Sequence, residues 1–258
     1  MVIQVGRGGM AHVPDAEAAA VPGLVAERMM REALPYELSR PATRKLAGLG
    51  ALLLGDREAQ SHPLASMQEA LGRLLGEDFD VQASDSYGLL EEEMPADQSL
   101  IVACSDRWER PLSDRQAAGL ARFVERGGGL VLLHCGISLA CHPLLEHLAG
   151  ARCEEHPEGC RLSFEPVVGK AGVHPAVQDL QPFELTDEPY RYAFRPSMDR
   201  EVILEYVLGG ERRPAAWAHR AGRGRVVALM PGHGGSSLRH PQLQRLIRRS
   251  SLWAAGRI

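Results

Sequence analysis

Short uninterrupted apolar runs and longer apolar stretches at helical spacing take turns through the first half of this chain. Residues 51–54 form an apolar run closed by Gly55-Asp56, the pattern of a buried strand. Ser66-x-x-Glu69 has the form of a capping box, and Met67, Leu71, Leu74 and Leu75 follow at the spacing of one helix face. Residues 79–83 and 99–104 read as second and third strands. Ser113-x-x-Gln116 opens another helix, whose Ala117, Leu120 and Val124 face inward, and Gly127, Gly128 and Gly129 stop it, since glycine tolerates positive backbone angles. Residues 130–133 then form a wholly apolar strand that ends in His134-Cys135-Gly136. The order strand, helix, strand, strand, helix, strand predicts an α/β fold: a doubly wound, mostly parallel sheet flanked by helices.

Beyond residue 149 the pattern changes to polar loops rich in Glu, His and Pro, separating strand candidates at 161–168, 202–207, 215–219 and 225–229. With no low-complexity linker between the halves, the second half reads as an extension of the same sheet. Residues 238–254 close the chain as an amphipathic helix, with Leu243, Leu246, Ile247 and Trp253 on one face and a solvated set of arginines elsewhere. Residues 1–48 read as an N-terminal extension: a possible strand at 2–5, a turn through Gly6, Gly8 and Gly9, and a helix from about Asp15. The remainder, 49–258, reads as one domain.

Composition narrows the function classes. A net charge of -4 gives no electrostatic reason to expect nucleic acid or an anionic membrane as partner. No apolar run approaches the roughly 20 residues needed to span a bilayer, and the start lacks a secretory pattern, so a cytoplasmic location is expected. Five cysteines without a CxxC pair argue against a disulfide framework or zinc knuckle.

In an open parallel sheet, ligands bind outside the carboxyl ends of the strands. Asp56, His62, His134, His174, Glu188 and His233 lie at such ends or in nearby loops. His134 and His233 directly follow apolar strands and are the first candidates for chemistry, with Glu188 beside them. These three are the expected catalytic core, and they are also a candidate ligand set for a divalent metal such as zinc. Without a metal, Glu188 would act as general base and an imidazole as acid. His62 and His174 each precede a proline, so a turn-fixing role stands beside a substrate-binding one. Tyr190 is a candidate for stacking on a sugar face, and Trp217 for the same role or for the core. Arg225 is a candidate anion contact through its planar fork, or the partner of a nearby acid. Cys135 is either a buried thiol or a nucleophile.

Several of these residues lie in an ordered series of motifs: GGGLVLLH ending at His134, His174-Pro175 in VHPAVQDLQPF, Asp187-Glu188-Pro189-Tyr190, PAAWAH from Pro214, GRGRVVALMPGH ending at His233, and SLWAAGR near the terminus. The series resembles the ThuA-like family, associated with trehalose and related sugar utilisation. The resemblance runs from about residue 51 to 257 and implies a flavodoxin-like architecture of the class I glutamine amidotransferase type. Amidotransferases of that fold carry a nucleophilic cysteine in a Cys-x-Gly turn, where this chain has His134-Cys135-Gly136. An imidazole there cannot form a thioester, so glutaminase activity is disfavoured. The resemblance implies a small sugar-like ligand, a keto-glycoside of the trehalose type. A non-catalytic ligand-binding or regulatory module and a hydrolase using Cys135 are the alternatives, and a homo-oligomer is a possible assembly.

Overall fold

A computed structural model describes residues 49–258, apart from Gln60 and Ser197. The strand, turn and helix expected within residues 1–48 lie outside the described residues.

One nine-stranded sheet organises the described chain. Its parallel half consists of β1 (Gly50–Gly55), β2 (Asp80–Ser84), β3 (Gln98–Cys104), β4 (Gly129–Leu133) and β13 (Gly224–Leu229), in the spatial order β2-β1-β3-β4-β13. The other half continues antiparallel through β12 (Glu211–Ala221), β11 (Glu201–Leu208), β6 (Cys160–Pro166) and β9 (Phe183–Asp187). The later residues thus extend the same sheet, as the absence of a linker suggested. Helices α1 (Leu64–Leu75) and α2 (Asp114–Glu125) make the crossovers β1 to β2 and β3 to β4, while β2 reaches β3 through a single 3-10 turn at Tyr87–Glu91. A short α3 (Pro143–Ala149) packs against α2, and the closing α4 (Pro241–Ala254) packs against α1 and β4. Two ribbons stand outside the main sheet: β5 (Ala151–Glu155) paired with β10 (Arg191–Phe194), and the small hairpin β7 (Val168–Gly169) with β8 (Gly172–Val173).

Burial explains the central strands. Leu52, Leu53 and Leu54 of β1, Ile101 and Val102 of β3, Leu130 to Leu133 of β4 and Val226 to Leu229 of β13 are all buried, because helices cover both faces of the parallel half. The capping box at Ser113 forms as expected, with Ser113 accepting from the Gln116 N–H and the Gln116 side chain accepting from the Ser113 N–H. That at Ser66 does not. The helix starts three residues earlier, with Pro63 at its N-cap, and Ser66 Oγ instead donates to the Pro63 carbonyl.

The turn into β4 uses its glycines differently from one another. Only Gly127 takes a positive φ, 118°, whereas a Cβ on Gly129 would lie 2.6 Å from the Ala254 backbone, so this glycine admits the end of α4. None of the described helices is long and apolar enough to cross a membrane.

Candidate functional site

Four segments bring chemistry to the carboxyl ends of the parallel strands. His62 comes from the loop after β1, His134 from the residue after β4, Glu188 from the residue after β9, and His233 from the loop after β13. One ligand atom from each lies within 4.8 Å of those of the other three. The ring centroid of His62 is 4.9 Å from both His134 and His233.

His134 is placed by strain and by close packing. Its φ of 49° is left-handed, which a residue with a Cβ adopts only when its surroundings hold it there. A 3-10 turn, His134–Cys141, leaves the strand at that point, and Gly136 lets it pass so near β3 that a Cβ would lie 2.0 Å from the Ala103 carbonyl oxygen. The imidazole Nδ1 is 2.7 Å from the Met230 carbonyl oxygen. A carbonyl only accepts, so Nδ1 carries a proton.

The inner faces of the cluster are rich in acceptors. His134 Nε2 lies 3.2 Å from Glu188 Oε2, and His233 Nε2 lies 3.3 Å from Glu188 Oε1. His62 Nε2 stands 3.9 Å from Glu188 Oε2, and neither of its ring nitrogens has a hydrogen-bond partner among the described residues. Burial, then the neighbouring His134, lowers the His62 pKa and favours its neutral form. Burial works against ionisation of Glu188 too, but the hydrogen bond and charge of His134, and then the charges of His233 and His62, outweigh it and hold the carboxyl at about 2. Tyr190, whose hydroxyl burial keeps protonated, lies 3.2 Å from His134 Nε2.

A second layer fixes these groups. Asp56 accepts from Tyr87 Oη at 2.9 Å and from the Asp106 N–H at 3.0 Å, and pairs with Arg107 at 3.0 Å. It thereby sets the loop that holds Asp106 3.5 Å from His62 Nδ1. Asp187, wholly buried, accepts from the N–H groups of Glu188 and Gly232 at 2.9 and 2.8 Å. Asp106 and Asp187 were both missing from the sequence-derived candidates. Asp187 adjoins Glu188 in the DEPY motif, whereas nothing local distinguishes Asp106. A cavity of about 720 Å³ opens beside this layer, lined by Asp56, Glu58, Asp106, Trp108 and Glu109 among others.

The other expected residues lie apart from the cluster. His174 uses Nδ1 to accept the Ala176 N–H at 3.1 Å, capping a 3-10 turn, and meets Trp253 edge to face. Arg225 donates to the carbonyls of Trp253 and Ile258, tying the end of the chain to β13. Cys135 is completely buried, and desolvation raises its thiol pKa well above the ordinary value, so it presents no thiolate. Trp217 belongs to the core, its Nε1 donating to the Ala149 carbonyl at 2.8 Å.

The sequence profile of the ThuA family, trehalose utilisation, matches residues 51–254. The chain belongs to the ThuA family. Solved structures agree on the fold. A ThuA-like protein from Parabacteroides merdae superposes with a TM-score of 0.64 at 18% identity, over 80% of this chain and 90% of that one. A second, from Bacteroides uniformis, gives 0.65 at 17%, over 80% and 91%. A β-galactosidase from Bacillus circulans matches 79% of this chain with 30% of its own, at 14% identity and a TM-score of 0.54. No curated relative matches by sequence. Within this ThuA chain the architecture is that of the class I glutamine amidotransferases, with His134 in the left-handed turn after the central strand.

Proposed function

We propose that this ThuA protein acts on a sugar or sugar-derived small molecule, a keto-glycoside of the trehalose type, at a centre formed by His134, Glu188 and His233. We propose further that these residues, with His62, hold a divalent metal ion such as zinc. The observation that carries the reading is the meeting of three imidazoles and one carboxylate within 4.8 Å. His134 donates outward from Nδ1 to Met230, which turns the Nε2 lone pair toward a carboxylate oxygen at 3.2 Å. Two acceptors that close repel unless a cation or a proton lies between them. One proton relieves one such pair, whereas one metal ion would satisfy the carboxylate and all three inward nitrogens, including one of the two partnerless nitrogens of His62.

The separations suit this assignment. Tetrahedral zinc with bonds of about 2.0–2.1 Å sets its ligand atoms roughly 3.3 Å apart. A bound ion supplies Lewis acidity toward a carbonyl or a bound water. The side chains do the positioning: Glu188 is 17% exposed and His233 46%, so the centre is open on the His233 side, while His62 and His134 close its floor.

Metal analysis of purified, tag-free protein tests the reading, repeated on a His134→Ala, His233→Ala double variant. Near-stoichiometric divalent metal in the wild type and its loss in the variant is the expected result. A wild type that takes up no divalent ion, even after reconstitution, removes the metal and leaves sugar-binding calorimetry to judge the rest.

A further inference from the structure

Asp187 has no part in the centre proposed above, yet it touches most of what builds it. Its side chain is 0% exposed. One oxygen accepts the N–H of Glu188 at 2.9 Å and lies 3.5 Å from His134 Nδ1. The other accepts the N–H of Gly232 at 2.8 Å and of His233 at 3.4 Å. The three backbone groups belong to Glu188, to His233 and to Gly232 just before it. The fourth contact is the ring of a third.

Charge gives the arrangement a further meaning. Among the described residues no Lys or Arg pairs with Asp187, and a buried carboxylate without a cationic partner is costly. Glu188 and Asp187 put two negative charges against His134 and His233, and Asp106 adds a third beside His62. A divalent ion on neutral imidazoles would offset most of this charge. Ligating histidines also commonly donate their outer N–H to a carbonyl or carboxylate, and here His134 Nδ1 faces both Met230 and Asp187.

We propose that Asp187 is the outer carboxylate of a divalent-metal centre, positioning His134, Glu188 and His233 and adding a buried negative charge that favours the ion. The proposal rests on the metal reading of the cluster. Asp187 is a positioning residue, because its oxygens reach the ligands' backbone and outer ring edge and not the inner face of the cluster. A carboxylate that only stapled three backbone segments together would affect stability alone. Asp187 as proposed also governs metal affinity in protein that remains folded.

Zinc affinity, measured by competition with a chromophoric chelator, tests this on the wild type, Asp187→Asn and Asp187→Glu, with circular dichroism to confirm folding at the assay temperature. The Asn variant should bind zinc 10- to 100-fold more weakly. The cobalt-substituted protein should show shifted ligand-field bands in the same variant, and the Glu variant, which keeps the charge, should recover part of the affinity. An Asn variant that folds and binds within threefold of the wild type overturns the proposal while leaving the metal site standing. A wild type that binds no zinc or cobalt overturns both. Should the Asn variant not fold, ring-nitrogen resonance of His134 in the zinc-loaded wild type decides. A protonated Nδ1 with metal on Nε2 supports the proposal, and the reverse assignment overturns it.

Discussion

His134 and Glu188, 54 positions apart in the chain, meet at 3.2 Å between Nε2 and Oε2. The contact joins the end of the central parallel strand β4 to the end of β9, the outermost antiparallel strand. The two reach each other because the loops after β9 and β13 both return over the carboxyl ends of the parallel half, where Asp187 fastens one to the other. Without that return the antiparallel half would contribute no carboxylate to the site.

Glu188→Gln isolates the charge of this carboxylate, since the amide has nearly its shape. Zinc affinity should fall by about two orders of magnitude on the proposed reading, because the only anionic ligand becomes a neutral one. Chelator competition measures it. A loss below threefold would show that Glu188 is not a ligand and return it to the general-base role.

Cysteine accessibility separates the centre from a thiol hydrolase. Cys104 and Cys135 are both fully buried, with burial pushing the Cys104 thiol up to about 12 and the Cys135 thiol well above its ordinary value. Cys141 is exposed. Native protein treated with iodoacetamide at pH 8 should therefore be labelled first at Cys141, with Cys104 and Cys135 unmodified until denaturant is added, as peptide mass mapping would show. Labelling of Cys135 in the native state would reopen the hydrolase alternative.

What the sequence made legible followed from local pattern. The parallel half was readable because its strands are buried on both faces and appear as apolar runs, and His134 and His233 stood out because each follows such a run. The antiparallel half was less so. β5 and β9 are half exposed, and Glu, Arg and Thr on their open faces break the apolar pattern. The histidines before prolines were the least readable. His142, His174 and His240 each turn Nδ1 back to cap the helical turn that follows. At His62 the proline itself takes the N-cap position and the ring is left to face the cluster. The dipeptide is the same in these four, and recurs at His156-Pro157 where no helix follows; among the four the difference lies in where the ensuing helix begins.

The two capping-box sequences give a stability comparison. Ser113→Ala removes an acceptor for the Gln116 N–H and should destabilise by about 1 kcal/mol. Ser66→Ala removes only a hydroxyl that donates within its own turn at an exposed position, and should stay within about 0.5 kcal/mol of the wild type. Denaturant unfolding of the two variants side by side checks this. Equal losses would place a functioning cap at Ser66 after all.

His174 yields a pH dependence whose sign follows from its surroundings. Burial, reinforced by the positive charge of Arg225, lowers its pKa from 6.5 to about 4. In the unfolded chain the imidazole takes a proton below about 6.5, whereas in the folded protein it stays neutral until about 4. Between those values the unfolded state binds more protons, so this residue makes stability fall as pH is lowered, with no further contribution below the window. Its share across the whole window is on the order of 3 kcal/mol. His174→Asn keeps a side-chain acceptor for the Ala176 N–H but does not titrate there. It loses the ring contact to Trp253, 4.6 Å between centroids, at every pH alike. The variant should therefore be less stable than the wild type at pH 8 and lose less on going to pH 4, as unfolding curves at several pH values would show. Parallel profiles for the two proteins would mean that His174 is protonated in the folded state as readily as in the unfolded one.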